Sequence, residues 1–415
     1  MDTGFWQAFL AALALQAGYN SALVAVGAGL LGAAAGAGGT FLFLRKRALV
    51  SDAVAHATLP GIGIAFILMV MLGGEGRSLP GLLLGSAVSA TVGLFLVEWI
   101  ARRTRLPEDA AIGAVLSVFF GFGIVLLTVI QTMSSGRQAG LESFLLGSTA
   151  GMLYADAVTI AVGGALCVGV VLLLRRPMTI VSFDPDWAAA SGVSVRGVDL
   201  AIMGLVMAVT VIGLKIVGLI LVVALLIIPP VTARFWTERT ERVVWIAGAL
   251  GGAAGYLGAA LSASAPDLPT GPLIVLVSFG LFMLSLLLAP VRGVAAALWR
   301  HRRFQHDVHR RQGLLALARR EAIFDRLTLK VLRREGLIRP DGVETPDGAA
   351  QAAKVLRDEK RWDVARRVYR DETIAGRYDG LTSIEAVLTR DEIAELDRRL
   401  GPPVSVGPRI AGAVP

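Results

Sequence analysis

The sequence predicts an all-α polytopic membrane protein with roughly eight or nine transmembrane helices, followed by a small α(+β) domain. Hydrophobic residues make up 55% of the 415 residues and charged residues only 17%, and the mean hydropathy is +0.67. These values are typical of membrane proteins. The charges are also unevenly distributed. Residues 1–290 contain 15 Lys and Arg and 14 Asp and Glu, whereas residues 291–415 contain 25 and 18.

Seven apolar runs are long enough to cross a bilayer; they lie at 21–44, 53–73, 79–100, 110–131, 154–174, 243–263 and 272–290. An eighth apolar region, 199–231, is longer and is interrupted at Gly213-Leu214-Lys215. We expect two shorter helices there, which enter and leave the membrane on the same side.

Glycines crowd the first apolar run, and we expect them to let neighbouring helices approach closely; they are Gly27, Gly29, Gly32, Gly36, Gly38 and Gly39. They do not form a phosphate-binding loop, since the motif G-x-x-x-x-G-K-[ST] occurs nowhere in the chain. The single cysteine, Cys167, excludes an intramolecular disulfide and a cysteine zinc cluster.

The basic loops predict the orientation, because loops rich in Lys and Arg face the cytoplasm; these loops lie at 45–47, 102–105, 175–176 and 234–242. The loops around Arg77, Arg137 and Asp267 carry few charges and are expected outside. The N-terminus is then external and the C-terminus cytoplasmic.

The first residues lack a basic region, so no cleaved signal peptide is expected. The predicted organisation is an external or interfacial segment at 1–20, a transmembrane domain at 21–290, a basic juxtamembrane linker at 291–312 and a cytoplasmic domain at 313–415.

Asp52 and His56 are the most informative residues, because they lie four apart in an otherwise apolar segment. On a helix this spacing places both side chains on one face. A charged Asp at the centre of a membrane helix costs about 2.5–3.5 kcal/mol on insertion scales, and a carboxylate with a neutral imidazole suits a divalent transition metal. In the alternative interpretation, Asp52 caps a helix and His56 is a hydrogen-bonded core residue. One chain supplies only two ligands, so a metal site needs a two-fold or pseudo-two-fold partner.

Four stretches between residues 20 and 290 resemble, in order, the zinc/manganese/iron ABC transporter permeases. The first is similar to the signature S/G-D-A-x-x-H-A-x-L-P-G of that family. The four stretches are Ser51-Asp52-Ala53-Val54-Ala55-His56-Ala57-Thr58-Leu59-Pro60-Gly61, Phe183-Asp184-Pro185-Asp186-Trp187-Ala188, Lys215-Ile216-Val217-Gly218 with Leu225-Leu226-Ile227-Ile228-Pro229-Pro230-Val231-Thr232-Ala233-Arg234, and Asp267-Leu268-Pro269-Thr270-Gly271-Pro272.

The resemblance implies a permease subunit of an ATP-driven importer of Mn²⁺, Zn²⁺ or Fe²⁺ in a bacterial inner membrane. It implies no enzymatic activity in this chain and no permanently bound cofactor. The implied partners are cytoplasmic ATPase subunits, a second permease of the same or a sibling chain, an external metal-binding protein and membrane lipids. In the family, the Asp and His of the signature line the transport path and bind the ion, which carries over to Asp52 and His56. A permease for a metal chelate, such as a siderophore or cobalamin, is the alternative.

Two further sites are expected from the loops. Asp267 is a candidate contact for the ion at the external mouth, although a loop carboxylate is more often only solvated. The loop 183–198 is expected to form a short amphipathic helix that contacts the ATPase, and an ordinary interfacial helix is the alternative. The residues assigned to this coupling loop are Phe183, Asp184, Pro185, Asp186 and Trp187.

The C-terminal residues resemble the winged-helix and dimerisation portions of iron-dependent, diphtheria-toxin-repressor-like regulators. The stretches that carry this resemblance are Leu332-Arg333-Arg334-Glu335-Gly336-Leu337-Ile338, the turn Pro340-Asp341-Gly342, and Thr345-Pro346-Asp347-Gly348. Most metal ligands of such a regulator are replaced here: Ala386 follows Glu385 where the family has histidine, and Thr382 and Glu359 stand at cysteine and histidine positions.

We therefore interpret the tail as a degenerate repressor-like module that acts in assembly or regulation, and DNA is not an expected partner. The rival interpretation is a membrane-tethered DNA-binding regulator. The basic stretch 299–311 is expected to favour anionic lipid headgroups. Its histidines, His301, His306 and His309, are read as part of a solvated linker rather than as a metal site.

Overall fold

The computed structural model describes residues 3–74, 78–132, 154–265, 268–368 and 378–400. The chain divides into two compact units, Met1–Ala296 and Ala297–Pro415. Helices make up the regular structure of both units. Among the described residues, the only β pairing is one isolated antiparallel bridge between Ile338 and Glu344.

The described helices of the first unit run in chain order as α1 Thr3–Leu13, α2 Tyr19–Leu44, α3 Ala48–Met71, α4 Leu79–Arg103, α5 Glu108–Thr132, α6 Tyr154–Phe183, α7 Pro185–Ala190, α8 Val195–Val217, α9 Leu219–Trp236, α10 Thr240–Ser262 and α11 Thr270–Leu288. Eight of the helices in the described ranges are long and apolar enough to cross a membrane, namely α2 to α6, α8, α10 and α11. The predicted all-α membrane fold is confirmed. Helices α1 and α9 contain shorter apolar segments, Gly4–Leu13 and Leu221–Trp236.

The apolar region 199–231 differs from the prediction. The break lies at Gly218, where φ is +79° and ψ is 167°, a conformation that glycine adopts far more readily than other residues. The 23-residue helix α8 therefore continues through Gly213 and Lys215 and is long enough to span, so the prediction of two short helices is wrong for the first of them. Only α9, with 18 residues, is short.

Helices α2 and α10 pack with their backbones in close contact. A Cβ atom placed on Gly32 would lie 2.1 Å from the carbonyl oxygen of Gly251, and one on Gly36 would lie 2.2 Å from that of Ala247. Gly38, in contrast, has nothing within 4 Å of such an atom. The packing role predicted for these glycines is confirmed at Gly32 and Gly36. Small residues at such positions let the backbones of membrane helices approach closely.

Helix α3 packs against α4 and α5, and α8 contacts this group as well as α2 and α6. Gly61 of α3 and Gly85 of α4 form another close crossing, because a Cβ on Gly61 would lie 2.1 Å from the Gly85 carbonyl oxygen. Of the spanning helices, α2 and α3 are the most buried. The signature residues thus lie on a central helix of the membrane unit.

The second unit begins at Ala297, within the long helix α12 Val294–Arg319. Its further elements are α13 Arg326–Arg334, α14 Pro346–Val368, a 3₁₀ turn at Ile384–Ala386 and α15 Arg390–Leu400. The amide of Thr345 donates to the carbonyl of Leu337, and that of Arg339 donates to Val343. The expected wing is therefore a tight turn with one bridge rather than a sheet in the described residues, because its two arms are too short for a stable ladder.

Glu359 stands where the resemblance would place a histidine, and it is occupied by protein partners. Tyr378 donates to Glu359 Oε1 at 2.6 Å, and Arg311 donates to Glu359 Oε2 at 2.7 Å. Partial burial opposes ionisation, but these two hydrogen bonds outweigh it and hold the pKa of Glu359 below its usual range. The ring of Tyr378 in turn packs at an interplanar angle of 46° against the buried ring of Trp362. This position therefore stabilises the packing of the tail.

Candidate metal centre

Helix α3 carries Asp52 and His56 in its second and third turns. The residue at its N-cap position is Arg47, and Asp52 lies inside the helix. The alternative in which Asp52 caps the helix is therefore wrong. Ser51 beside it is buried, and its hydroxyl donates back to the Ala48 carbonyl at 2.6 Å. The side chains of Asp52 and His56 are 38% and 19% exposed, so both reach the surface of the subunit.

The two side chains contact each other on the shared face that the spacing predicts. His56 Nδ1 lies 3.2 Å from Asp52 Oδ1 and 3.0 Å from the Asp52 carbonyl oxygen. Both oxygens are acceptors, so Nδ1 is the nitrogen that can donate to them, and Nε2 is the nitrogen turned away from Asp52. A carboxylate that orients a histidine in this way is a recurring arrangement around bound metals.

Phe120 of α5 fixes the other side of the imidazole. Its ring centroid lies 5.0 Å from that of His56 at an interplanar angle of 71°, an edge-to-face geometry that favours aromatic pairs. This contact could not be predicted from the sequence, because Phe120 is one apolar residue among many in an apolar helix.

Within the ranges that the structure describes, no group of three or more His, Cys, Asp or Glu side chains could hold a metal ion. Asp52 and His56 therefore offer two ligands and not a complete site. The cluster His301, His306 and His309 forms no such group either. His306 and His309 instead pair with the carboxylates of Glu335 and Asp325, at 3.2 and 3.1 Å. Asp267 lies outside the described residues.

An apolar groove of about 570 Å³ lies between α3, α4 and α5. It begins at Pro60 and Gly61 and is lined further along by Leu68, Val88 and Phe122. Neither Asp52 nor His56 lines it. The groove is thus separate from the candidate ligands.

The expected coupling loop contains the short helix α7. Asp184 caps it by accepting the Trp187 amide at 2.9 Å, and Pro185 occupies its first turn. Ala188 is buried, whereas the Phe183 and Trp187 side chains are 61% and 57% exposed. The helix therefore packs one side on the subunit and exposes Trp187 on the other, next to Phe183 at the end of α6. The last residues of the predicted loop, 195–198, belong to α8.

Comparison with known proteins agrees with this architecture. Residues 19–289 match the ABC 3 transport family. The chain belongs to this family. It is a membrane permease subunit of an ABC transporter and not an enzyme, since ATP hydrolysis belongs to a separate chain. The predicted permease function is confirmed.

Two relatives in the ABC 3 transport family show what the similarity covers. The manganese transport system membrane protein MntC of Bacillus subtilis is 42% identical over 298 residues, which are 72% of this chain and 67% of that protein. The zinc transport system membrane protein TroC of Treponema pallidum is 39% identical over 293 residues, 71% of this chain and 97% of that protein.

Solved structures with the same fold include PsaBC from Streptococcus pneumoniae in complex with a Fab. That structure is 28% identical with a TM-score of 0.58, and the match covers 68% of this chain and 96% of the other. An inward-facing putative metal-chelate type ABC transporter has a TM-score of 0.53 over 68% of this chain and 97% of the other. Its identity of 18% supports a shared fold only.

Proposed function

We propose that the chain is the membrane subunit of an importer of Mn²⁺ or Zn²⁺, and that Asp52 and His56 supply half of an ion site in its transport path. The contact between them carries the proposal, because it holds a carboxylate and an imidazole side by side on one face of α3. A second permease, identical or sibling, supplies the other half. Manganese and zinc transport relatives at 42% and 39% identity support this cargo.

Two carboxylates and two imidazoles around one ion form a mixed oxygen and nitrogen ligand set. Imidazole suits Zn²⁺ and Fe²⁺, and carboxylate oxygen suits Mn²⁺. The ligand set therefore accommodates either cargo of the relatives, and it also accommodates Fe²⁺. Selection among these ions depends on the geometry that the second subunit imposes.

The transport cycle follows from this arrangement. An external binding protein releases the ion at the mouth, where Asp267 is the proposed first contact. Asp52 and His56 then take the ion between the two permeases. On the cytoplasmic side, α7 presents Trp187, and the end of α6 presents Phe183, to an ATPase subunit. ATP binding then rearranges the helices so that the ion is released inward. In this orientation the chain lies in a bacterial inner membrane with its C-terminus in the cytoplasm.

The substitutions Asp52→Ala and His56→Ala test the ion site. Each removes at least one proposed ligand of the ion, so we expect metal uptake to fall about 100-fold or more. The measurement is uptake of Mn²⁺ or Zn²⁺ by vesicles that contain the complete transporter, with co-purification of the ATPase as the test of assembly. Glu98→Ala is the matched control, because Glu98 is also a carboxylate on a spanning helix but pairs with Arg102 at 2.7 Å.

Unchanged uptake in Asp52→Ala and His56→Ala would contradict the proposed site. Transport of a cobalamin or siderophore complex, unaffected by either substitution, would instead identify a chelate permease.

For the tail, we propose a degenerate repressor-like module that regulates the transporter or its assembly. The engagement of Glu359 by Tyr378 and Arg311 supports a structural rather than metal-sensing role for that position. Salt-dependent binding of the full chain to an operator sequence would contradict this proposal and favour a membrane-tethered regulator.

A further inference from the structure

We infer that the ion pair between Arg45 and Asp199 transmits movement of α7 to the helix that carries Asp52 and His56. Both are positioning residues that act on the ion site through α3. The inference rests on the proposed function, since it assumes that α7 receives the ATPase and that α3 holds the ion.

The pair joins segments that are 154 residues apart in the chain. Arg45 donates through one terminal nitrogen to Asp199 Oδ2 at 2.8 Å and through the other to the Val181 carbonyl at 2.9 Å. The two side chains are only 15% and 12% exposed. One guanidinium therefore holds the end of α6 and the start of α8 together.

These two contacts bracket α7. Val181 lies four residues before α7 begins, and Asp199 lies in the second turn of the helix that follows it. A displacement of α7 therefore moves both groups that Arg45 binds. Arg45 itself lies in the connection between α2 and α3, seven residues before Asp52, so a shift of Arg45 reaches the first turn of α3.

A second arginine extends the link to α5. Arg47 pairs with Glu108 at 2.9 Å and lies 3.7 Å from Asp199 Oδ2. Glu108 is the first residue of α5, the helix whose Phe120 contacts the His56 ring. The same cluster thus touches the starts of both helices that form the candidate metal centre.

The chemistry of the pair indicates positioning rather than maximal stabilisation. Among the described residues, Arg45 Nε and Asp199 Oδ1 are buried and have no hydrogen-bond partner. A buried ion pair with unsatisfied atoms is a poor source of stability. It nevertheless holds the two side chains in one relative orientation. Separating them would leave each buried charge without a partner, which is costly where the local dielectric constant is low. Such a pair suits a contact that must keep the end of α6, the start of α8 and the connection before α3 moving together with α7.

The functional test uses the complete transporter with its ATPase and binding protein in lipid vesicles, with Mn²⁺ as the ion and Zn²⁺ in a parallel series. We expect Asp199→Asn to lower the number of ions imported per ATP hydrolysed about tenfold, with ATP hydrolysis retained. Asp199→Glu, which keeps the carboxylate, is expected to retain most of this ratio. The double variant Arg45→Gln with Asp199→Asn should be no worse than Arg45→Gln alone, because that substitution already removes the contact between Arg45 and Asp199.

Glu238→Gln is the matched control, because it breaks the more exposed pair with Arg292 at 3.1 Å, which touches neither α3 nor α7. An unchanged ratio of ions to ATP in Asp199→Asn, beside a wild type that transports, would overturn the inference and leave the ion site standing.

A structural measurement tests the link without depending on the ion. Spin labels at Leu49, which is 53% exposed on α3, and at Ser191, exposed just after α7, report the distance between the two segments. We expect the same distance with and without ATP plus vanadate in the wild type, and an ATP-dependent change in Asp199→Asn. Identical distances in both proteins would overturn the inference. A wild-type complex that imports neither ion would contradict the proposed function alone.

Discussion

Asp52 lies in a membrane helix although a lone carboxylate is costly there. The contact of its oxygen with His56 Nδ1 offsets part of that cost and at the same time orients the imidazole ring. The i, i+4 spacing was sufficient to predict that the two side chains share a face. It was not sufficient to predict which nitrogen is held by Asp52, because that depends on the rotamers of both side chains.

Phe120 provides a test of how firmly the imidazole is held. Removing the ring in Phe120→Ala leaves His56 free to turn, and the loss of an edge-to-face contact of about 0.5–1.5 kcal/mol should weaken metal uptake about two- to tenfold. The concentration dependence of Mn²⁺ uptake measures this effect. Phe122→Ala is the control, since Phe122 lies two residues further along and lines the groove instead; equal effects of both substitutions would contradict the role of Phe120.

At the scale of helices, the contact between α2 and α10 depends on the absence of side chains. The glycines of α2 predicted close packing, but they did not identify α10 as the partner or distinguish Gly32 from Gly38. That distinction depends on the rotation of α2 about its own axis, and the environments of the two glycines in the folded unit show it.

Gly32→Ala and Gly38→Ala form a matched pair on that helix. A methyl group on Gly32 would lie 2.1 Å from a backbone oxygen of α10, so the helices must separate and we expect the unfolding free energy to fall by about 1–3 kcal/mol. Gly38→Ala meets nothing within 4 Å and should be neutral or slightly stabilising, because alanine favours the helix. Thermal unfolding of the purified subunit in detergent measures both; equal midpoints would contradict the close contact.

At the scale of the whole molecule, the membrane unit and the tail have separate cores. Leu314, Leu332 and Leu337 pack together in the tail, whereas the large apolar cluster of the first unit includes residues from α2 to α11. The family match ends at residue 289. Each unit therefore has the buried apolar surface that independent folding requires.

A chain that ends at Gly293 tests this division. We expect it to insert into the membrane and to unfold at the same temperature as the membrane unit of the full chain, because none of the apolar cluster of that unit is removed. Regulation of transport by the tail would then appear only as a difference in metal uptake between the full chain and the chain that ends at Gly293. Aggregation of the shortened chain, or a lower unfolding temperature, would contradict the independence of the two units.

The amino-acid sequence alone was sufficient to predict a bundle of membrane helices with two ionisable side chains, Asp52 and His56, on one helix face. Length and hydropathy are sufficient to predict a span, and helical periodicity is sufficient to align Asp52 with His56. The positive φ of Gly218, the edge contact of Phe120 and the pairing of Arg45 with Asp199 became evident only from the folded chain. The physical reason is that membrane helices are apolar on all sides, so hydropathy does not specify which helices become neighbours. Contacts between distant segments follow from that choice of neighbours.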